Sequence, residues 1–323
     1  MFVQFLVLIF GFALLILGAD ILVNGASGIA KNFNIPEILI GLTIVALGTS
    51  LPELIVTIIS STTGNTDILV GNVIGSNICN LLLILGAVAI LKPLKLEKST
   101  IKQNLPLLLG LTILVLVFSL GLFSNTKLIF SKIHGIILLL IALIYFLYPI
   151  FEYAKSKKKC NESDNTNTST SIEDKSIIHY IIYIILGGLA LKYGGDFVVN
   201  SATTIATLLN IPERIISLTI VALGTSLPEL ITSIVAIIKH DDDLAEGNII
   251  GSCIINFCLI LGLGAIIIDI PMQLSYIENL ILLLSTEILI LLYGISNKDN
   301  TLTRQNGFIL IIIYLIYNLR LFI

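Results

Sequence analysis

Apolar runs of roughly one membrane thickness alternate with short polar intervals along the whole chain. A helix crossing the hydrocarbon core needs about 20 mostly apolar residues. Ten runs meet this length: residues 2–24, 36–61, 68–91, 104–122, 131–151, 177–199, 211–238, 244–268, 274–294 and 303–322. The longest polar interval, "EYAKSKKKCNESDNTNTSTSIEDKS" at 152–176, is rich in Lys, Asn, Ser and Thr and has no apolar period. It predicts a flexible connector. The expected fold is therefore an all-α polytopic membrane protein of ten transmembrane helices. Residues 1–151 form a first five-helix unit, 152–176 the connector and 177–323 a second five-helix unit.

Composition agrees with this pattern. The 323 residues are 56% hydrophobic and 12% charged, against about 25% charged in soluble domains. Lysine and arginine orient the spans, because they collect on the cytoplasmic side. One side carries thirteen of them, including Lys155, Lys157, Lys158 and Lys159; the other has Lys127, Lys132, Arg214 and Arg320. The connector is thus expected in the cytoplasm and both termini outside the cell, in the plasma membrane. The N-terminal run lacks a basic leader and a small-residue cleavage site, so it reads as a retained first span. No basic patch with interleaved aromatics points to nucleic acid. Cys79, Cys160, Cys253 and Cys258 show neither a CxxC pair nor zinc spacing.

The two halves repeat. "LTIVALGTSLPELI" occurs at 42–55 and again at 218–231, and "GNVIGSNICN" (71–80) aligns with "GNIIGSCIIN" (247–256). The offset stays at 176 residues from Asp20 to Gly86. Five spans is an odd number, so the second half enters the membrane from the opposite side. Inverted repeats of this kind are common in secondary transporters, whose substrate sites lie near the midplane between the halves.

The repeated words carry the candidate chemistry. Glu53 and Glu229 fall in apolar surroundings, each just after a Pro that interrupts a helix. Proline removes an N–H and clashes with the carbonyl four residues earlier. Free carbonyls are expected around Ala46 and Gly48, and around Ala222 and Gly224. Helical spacing sets Thr49 and Ser50 beside Glu53, and Thr225 and Ser226 beside Glu229. In the following spans Ser76 and Asn80, and likewise Ser252 and Asn256, stand four residues apart. The hydroxyls can alternatively bond back to their own helix, but the fourfold symmetric arrangement favours a shared cage. A carboxylate at the bilayer centre costs about 2.5–3.5 kcal/mol. No Lys or Arg sits at matching depth in these spans, so protons or bound cations must neutralise it. An all-oxygen donor set suits Ca²⁺ or Na⁺, and Mg²⁺ less well because it dehydrates reluctantly.

With these words the sequence resembles the cation/Ca²⁺ antiporter superfamily, near the sodium/calcium exchanger type of prokaryotes without regulatory domains. The resemblance spans nearly the whole chain. It implies alternating access with one Ca²⁺ exchanged against several Na⁺, and a core of spans two, three, seven and eight flanked by spans one and six as sliding gates. By motif position it makes Glu53 and Glu229 shared acidic ligands. Thr49, Ser50, Thr225, Ser226, Ser76 and Ser252 then supply oxygens, Ala46 and Ala222 main-chain help, and Asn80 a central polar ligand. Exchangers of this type often carry an aspartate where this chain has Asn256, so two buried acids stand in place of three. H⁺ coupling is the alternative to Na⁺. No cofactor is expected, and the partners are Ca²⁺, Na⁺ or H⁺ and the bilayer, with the chain acting as a monomer. An intramembrane aspartyl enzyme is disfavoured because inversion puts Asp20 and Asp196 on opposite faces. A passive channel has no need for paired broken carboxylate helices. The acidic turn "HDDD" at 240–243 lacks Ca²⁺-loop spacing and is expected to be solvated.

Overall fold

A computed structural model describes residues 2–33, 35–121, 128–160, 177–209 and 222–322. In chain order the helices are α1 (Phe2–Phe33), α2 (Glu37–Thr49), α3 (Leu51–Thr62), α4 (Thr66–Leu91), α5 (Thr100–Ser119) and α6 (Lys132–Cys160). They continue with α7 (Ile177–Leu208), α8 (Leu227–Ile238), α9 (Asp242–Ile267), α10 (Leu274–Ser296) and α11 (Arg304–Phe322). A single helical turn, Ala222–Gly224, precedes α8. Four two-residue strands lie between helices: β1 (Leu94–Lys95), β2 (Ile129–Phe130), β3 (Ile270–Pro271) and β4 (Thr301–Leu302).

Among the described residues six helices are long and apolar enough to cross a membrane, or seven if α2 and α3 form one span bent by 48°. Helices α6 and α11 overlap two of the other expected spans, and the 12-residue α8 covers only the end of the expected seventh. Residues 211–221 of the expected seventh span lie outside the described residues.

Burial sorts the helices. In α4 and α9, 78% and 83% of the apolar window is buried, against 22–33% in α1, α5, α7 and α10. The two central helices are therefore packed in protein on nearly all sides, and their polar residues, Ser76, Asn80, Ser252 and Asn256 among them, are buried with the apolar ones. The outer helices turn large side chains such as Phe2, Ile9, Ile144, Ile178 and Leu319 outward, a surface suited to lipid.

Small residues set the closest approaches. Helices α1 and α7 pack along Gly11, Gly18, Gly25, Gly187 and Gly194; a Cβ on Gly187 would lie 2.7 Å from the Leu22 nitrogen. Without a hydrophobic drive between helices in lipid, such backbone proximity supplies the packing energy. Helix α9 meets α2 in the same way. A Cβ on Gly247 would sit 2.6 Å from the Ile38 carbonyl, and one on Gly251 2.6 Å from that of Leu42.

The 176-residue offset is visible as structure: α3 and α8 have the same length and bounds after that shift, and so do β1 and β3. The strands pair across the halves, β1 antiparallel to β4 and β2 antiparallel to β3.

Polar residues at the helix ends are tied together. Lys239 pairs with Asp20 at 2.7 Å and donates to Asn24 at 2.7 Å, fastening α1 to the end of α8. Asp196 pairs instead with Lys192, one turn away on its own helix. The acidic turn is more engaged than its sequence suggests. Asp241 accepts from the Ser27 hydroxyl at 2.9 Å, and Asp242 pairs with Lys92 at 2.7 Å. These partners come from distant sequence, which is why the turn reads as merely solvated in isolation.

Candidate cation site

The break between α2 and α3 falls at Ser50, whose φ −81°, ψ 9° lies between the helical and extended regions; Ser226 repeats it at φ −89°, ψ 4°. Pro52 and Pro228 follow in the first turn of α3 and α8, a position where the fixed φ of proline suits a helix start. Glu53 and Glu229 also stand in that first turn. The unpaired N–H groups at a helix start favour a negative charge there. The two carboxylates are fully buried.

The second layer comes from α4 and α9. Both carry a π-helical stretch, Cys79–Ile84 and Asn256–Leu261. Such local widening often marks functional positions in helices. These stretches hold Asn80 and Asn256, with Ser76 and Ser252 one turn before.

The structure joins the halves more closely than spacing predicts. Ser50 Oγ donates to Glu229 Oε1 at 3.0 Å rather than to Glu53 in its own half. Thr49 Oγ1 donates to Asn248 Oδ1 at 3.0 Å and lies 3.4 Å from Ser252 Oγ, again in the second half. Ser76 Oγ donates to Glu53 Oε1 at 3.3 Å within the first half. Asn256 Nδ2 donates to Asn77 Oδ1 at 2.9 Å, and Asn77 Nδ2 to the Cys253 carbonyl at 3.3 Å.

Several buried polar atoms here have no hydrogen-bond partner among the described residues: Glu53 Oε2, Glu229 Oε2, both side-chain atoms of Asn80, Asn256 Oδ1 and Ser226 Oγ. A buried group left unpaired costs about 1–3 kcal/mol, more if charged. Unpaired oxygens gathered around two like charges are the arrangement that a desolvated cation satisfies. Among the described residues no three His, Cys, Asp or Glu side chains gather to hold a metal ion. The donor set is two carboxylates with neutral oxygens, which suits a transported hard cation.

One expected donor is differently placed. The Ala46 carbonyl is not free: it accepts the Ser50 N–H at 3.0 Å and the Thr49 hydroxyl at 3.2 Å. The helix runs on to Thr49, and the break comes later. The carbonyl that Pro52 deprives of a donor is that of Gly48. Ala222 opens the helical turn before Thr225, and its side chain lies outside the described residues. Thr225, with Pro52, Gly224, Lys192 and Asp196, lines a cavity of about 210 Å³ between α7 and the broken helices.

Two further residues complete the frame. Asn72 Nδ2 donates to the Glu53 carbonyl at 3.1 Å and to Thr57 Oγ1 at 3.2 Å. Its repeat partner Asn248 donates to the Glu229 carbonyl at 3.3 Å and to Ser233 Oγ at 2.9 Å. Each asparagine pins the main chain of a glutamate. The signal was present in the repeated "GN" words, which place Asn72, Ser76 and Asn80 on one helical face.

A bent carboxylate helix in the first half, and a second carboxylate helix opened by the same Ser-Leu-Pro-Glu step in the other half, are the arrangement expected of a membrane cation antiporter. The particular family follows from comparison. Residues 3–151 and 179–323 match the family model described as sodium/calcium exchanger protein, and the chain belongs to that family. The sodium/calcium exchanger MaX1 of Methanosarcina acetivorans is 31% identical over 99% of both chains. The inner membrane protein YrbG of Escherichia coli is 35% identical over 80% of this chain and 78% of its own length. Among solved structures, the sodium-calcium exchanger NCX_Mj soaked with Na⁺ and Sr²⁺ superposes with a TM-score of 0.81 at 29% identity, covering 97% of this chain and 96% of that one.

Proposed function

We propose that this protein exchanges Ca²⁺ against Na⁺ by alternating access, at one midplane site between two inverted five-helix repeats. The observation that carries the reading is the crossed pairing of Ser50 with Glu229 and Thr49 with Asn248, around carboxylate oxygens with no other partner. Each half supplies one wall, so a rocking motion of one half against the other opens the cage to one side at a time.

The strand pairings support the inversion. In the ten-span reading, the loops holding β1 and β4 are six spans apart, and those holding β2 and β3 are four apart. Both separations are even, so each ribbon joins loops on one face. The loops of β1 and β3, related by the repeat, are five spans apart and fall on opposite faces.

Two buried acids balance one Ca²⁺, or two or more Na⁺, in alternation. Glu53, Glu229, Thr49, Ser50, Thr225, Ser226, Ser76, Asn80, Ser252 and Asn256 are the proposed side-chain ligands, with main-chain oxygens near Gly48 and Ala222. The chain acts as a monomer in this scheme, with its connector in the cytoplasm. H⁺ coupling is the second reading, favoured by the absence of any basic partner for either glutamate among the described ion pairs.

The test is Ca²⁺ uptake into proteoliposomes under an imposed Na⁺ gradient with pH clamped. Uptake is expected with the Na⁺ gradient alone. Uptake driven only by a pH gradient replaces Na⁺ with H⁺ in the scheme. Glu53→Gln and Glu229→Gln are each expected to abolish exchange.

A further inference from the structure

Beside Glu53, Glu229 and Glu246, which accepts from the Glu97 N–H, Glu287 is a fourth buried carboxylate, and it lies outside both repeated words. It lies in the middle of α10, 1% exposed, with Oε1 2.6 Å from Thr112 Oγ1 on α5 and Oε2 without a partner. The matching helix of the first half, α5, has no Asp or Glu at any of residues 100–119. Glu287 is therefore not a by-product of the repeat.

Among the described residues no basic side chain pairs with it. Helix α5 carries only Lys102, in its polar first turn, and α4 carries Cys79 and Asp67; Asp67 is held by Gln273 and Tyr276 at one end of α10. The segment after α10 carries Lys298 and Asp299 at the other end, and α10 itself adds Tyr276, Glu278 and Tyr293. From α9 comes the buried Cys253 thiol. Among the described side chains none forms an ion pair with Glu287.

We propose that Glu287 is a proton-binding site in the transmembrane core, separate from the cation cage: Oε1 holds the proton and donates it to Thr112 Oγ1. Thr112 then passes its single hydroxyl hydrogen to the Leu108 carbonyl, 3.1 Å away. Every hydrogen in this chain has an acceptor. The ionised form would instead leave a full charge held by one hydroxyl in apolar surroundings, and an isolated buried charge neutralises itself rather than bear that cost. The bound proton adds no charge to that of Glu53 and Glu229, the pair matched to the transported cation. Ionising Glu287 would add a further negative charge to the interior.

Infrared spectroscopy of the protein in lipid tests this without reference to transport, so it stands or falls apart from the coupling ion. In a Glu53→Gln/Glu229→Gln background, the carbonyl stretch of a protonated carboxylic acid is expected at neutral pH. Adding Glu287→Gln is expected to remove that component from the difference spectrum, and an unchanged spectrum overturns the proposal. Should that variant fail to fold, Thr112→Val reads the same bond. A shifted band, restored by Thr112→Ser, supports the proposal, and an unmoved band overturns it.

Discussion

At the residue scale, asparagine has two distinct roles. Asn72 and Asn248 hold the main chain of the two glutamates, whereas Asn80 and Asn256 turn unsatisfied groups toward the cage. Truncation should separate these roles. Asn248→Ala strips donors from the Glu229 carbonyl and Ser233 and an acceptor from Thr49, a loss of about 1–3 kcal/mol. Thermal unfolding should show it even without substrate. Asn256→Asp restores a third acid to the cage. A close opposite charge is worth several kcal/mol at protein-like dielectric, so Ca²⁺ affinity by isothermal titration should rise about tenfold or more. An unchanged affinity would place Asn256 outside the coordination sphere.

At the scale of elements, the broken helices are held by close backbone contact rather than by bulky side chains. Helix α9 touches α2 at Gly247 and Gly251, where a methyl group would meet main-chain carbonyls. Backbone cannot turn aside as a side chain can, so the helices must separate. Gly251→Ala should cost about 1–3 kcal/mol, read as a lower melting temperature, and should weaken exchange by displacing Thr49 from Asn248. Gly71→Ala and Gly75→Ala are the controls, since nothing lies within 4 Å of an added Cβ there. Equal effects at all positions would mean that helix propensity, not proximity, decides.

At the scale of the whole molecule, inversion predicts that the two strand ribbons face opposite compartments. Lys95 in β1 and Asp269 beside β3 are both exposed. With Cys160→Ser as background, the other native cysteines are buried. Lys95→Cys should then react with a membrane-impermeant thiol reagent only from the cytoplasmic side, and Asp269→Cys only from outside. Labelling of both from one side would refute the inverted arrangement.

The sequence by itself determined the apolar runs, the 176-residue repeat and the buried carboxylates, hydroxyls and amides proposed as the cage. These follow from local physics: hydrocarbon thickness sets run length, proline breaks a helix wherever it falls, and a carboxylate in an apolar run demands a counter-charge. What it could not assign was which oxygen answers which donor. Ser50 reaches Glu229 across 179 positions, Thr49 reaches Asn248 across 199 and Thr112 meets Glu287 across 175. Helical spacing ranks only neighbours within a turn or two, so it paired Ser50 with Glu53 and passed over Glu287 altogether. Those contacts are settled only when glycine-lined helices bring the two halves together, because the register between distant helices is a property of their packing and of no single stretch of chain.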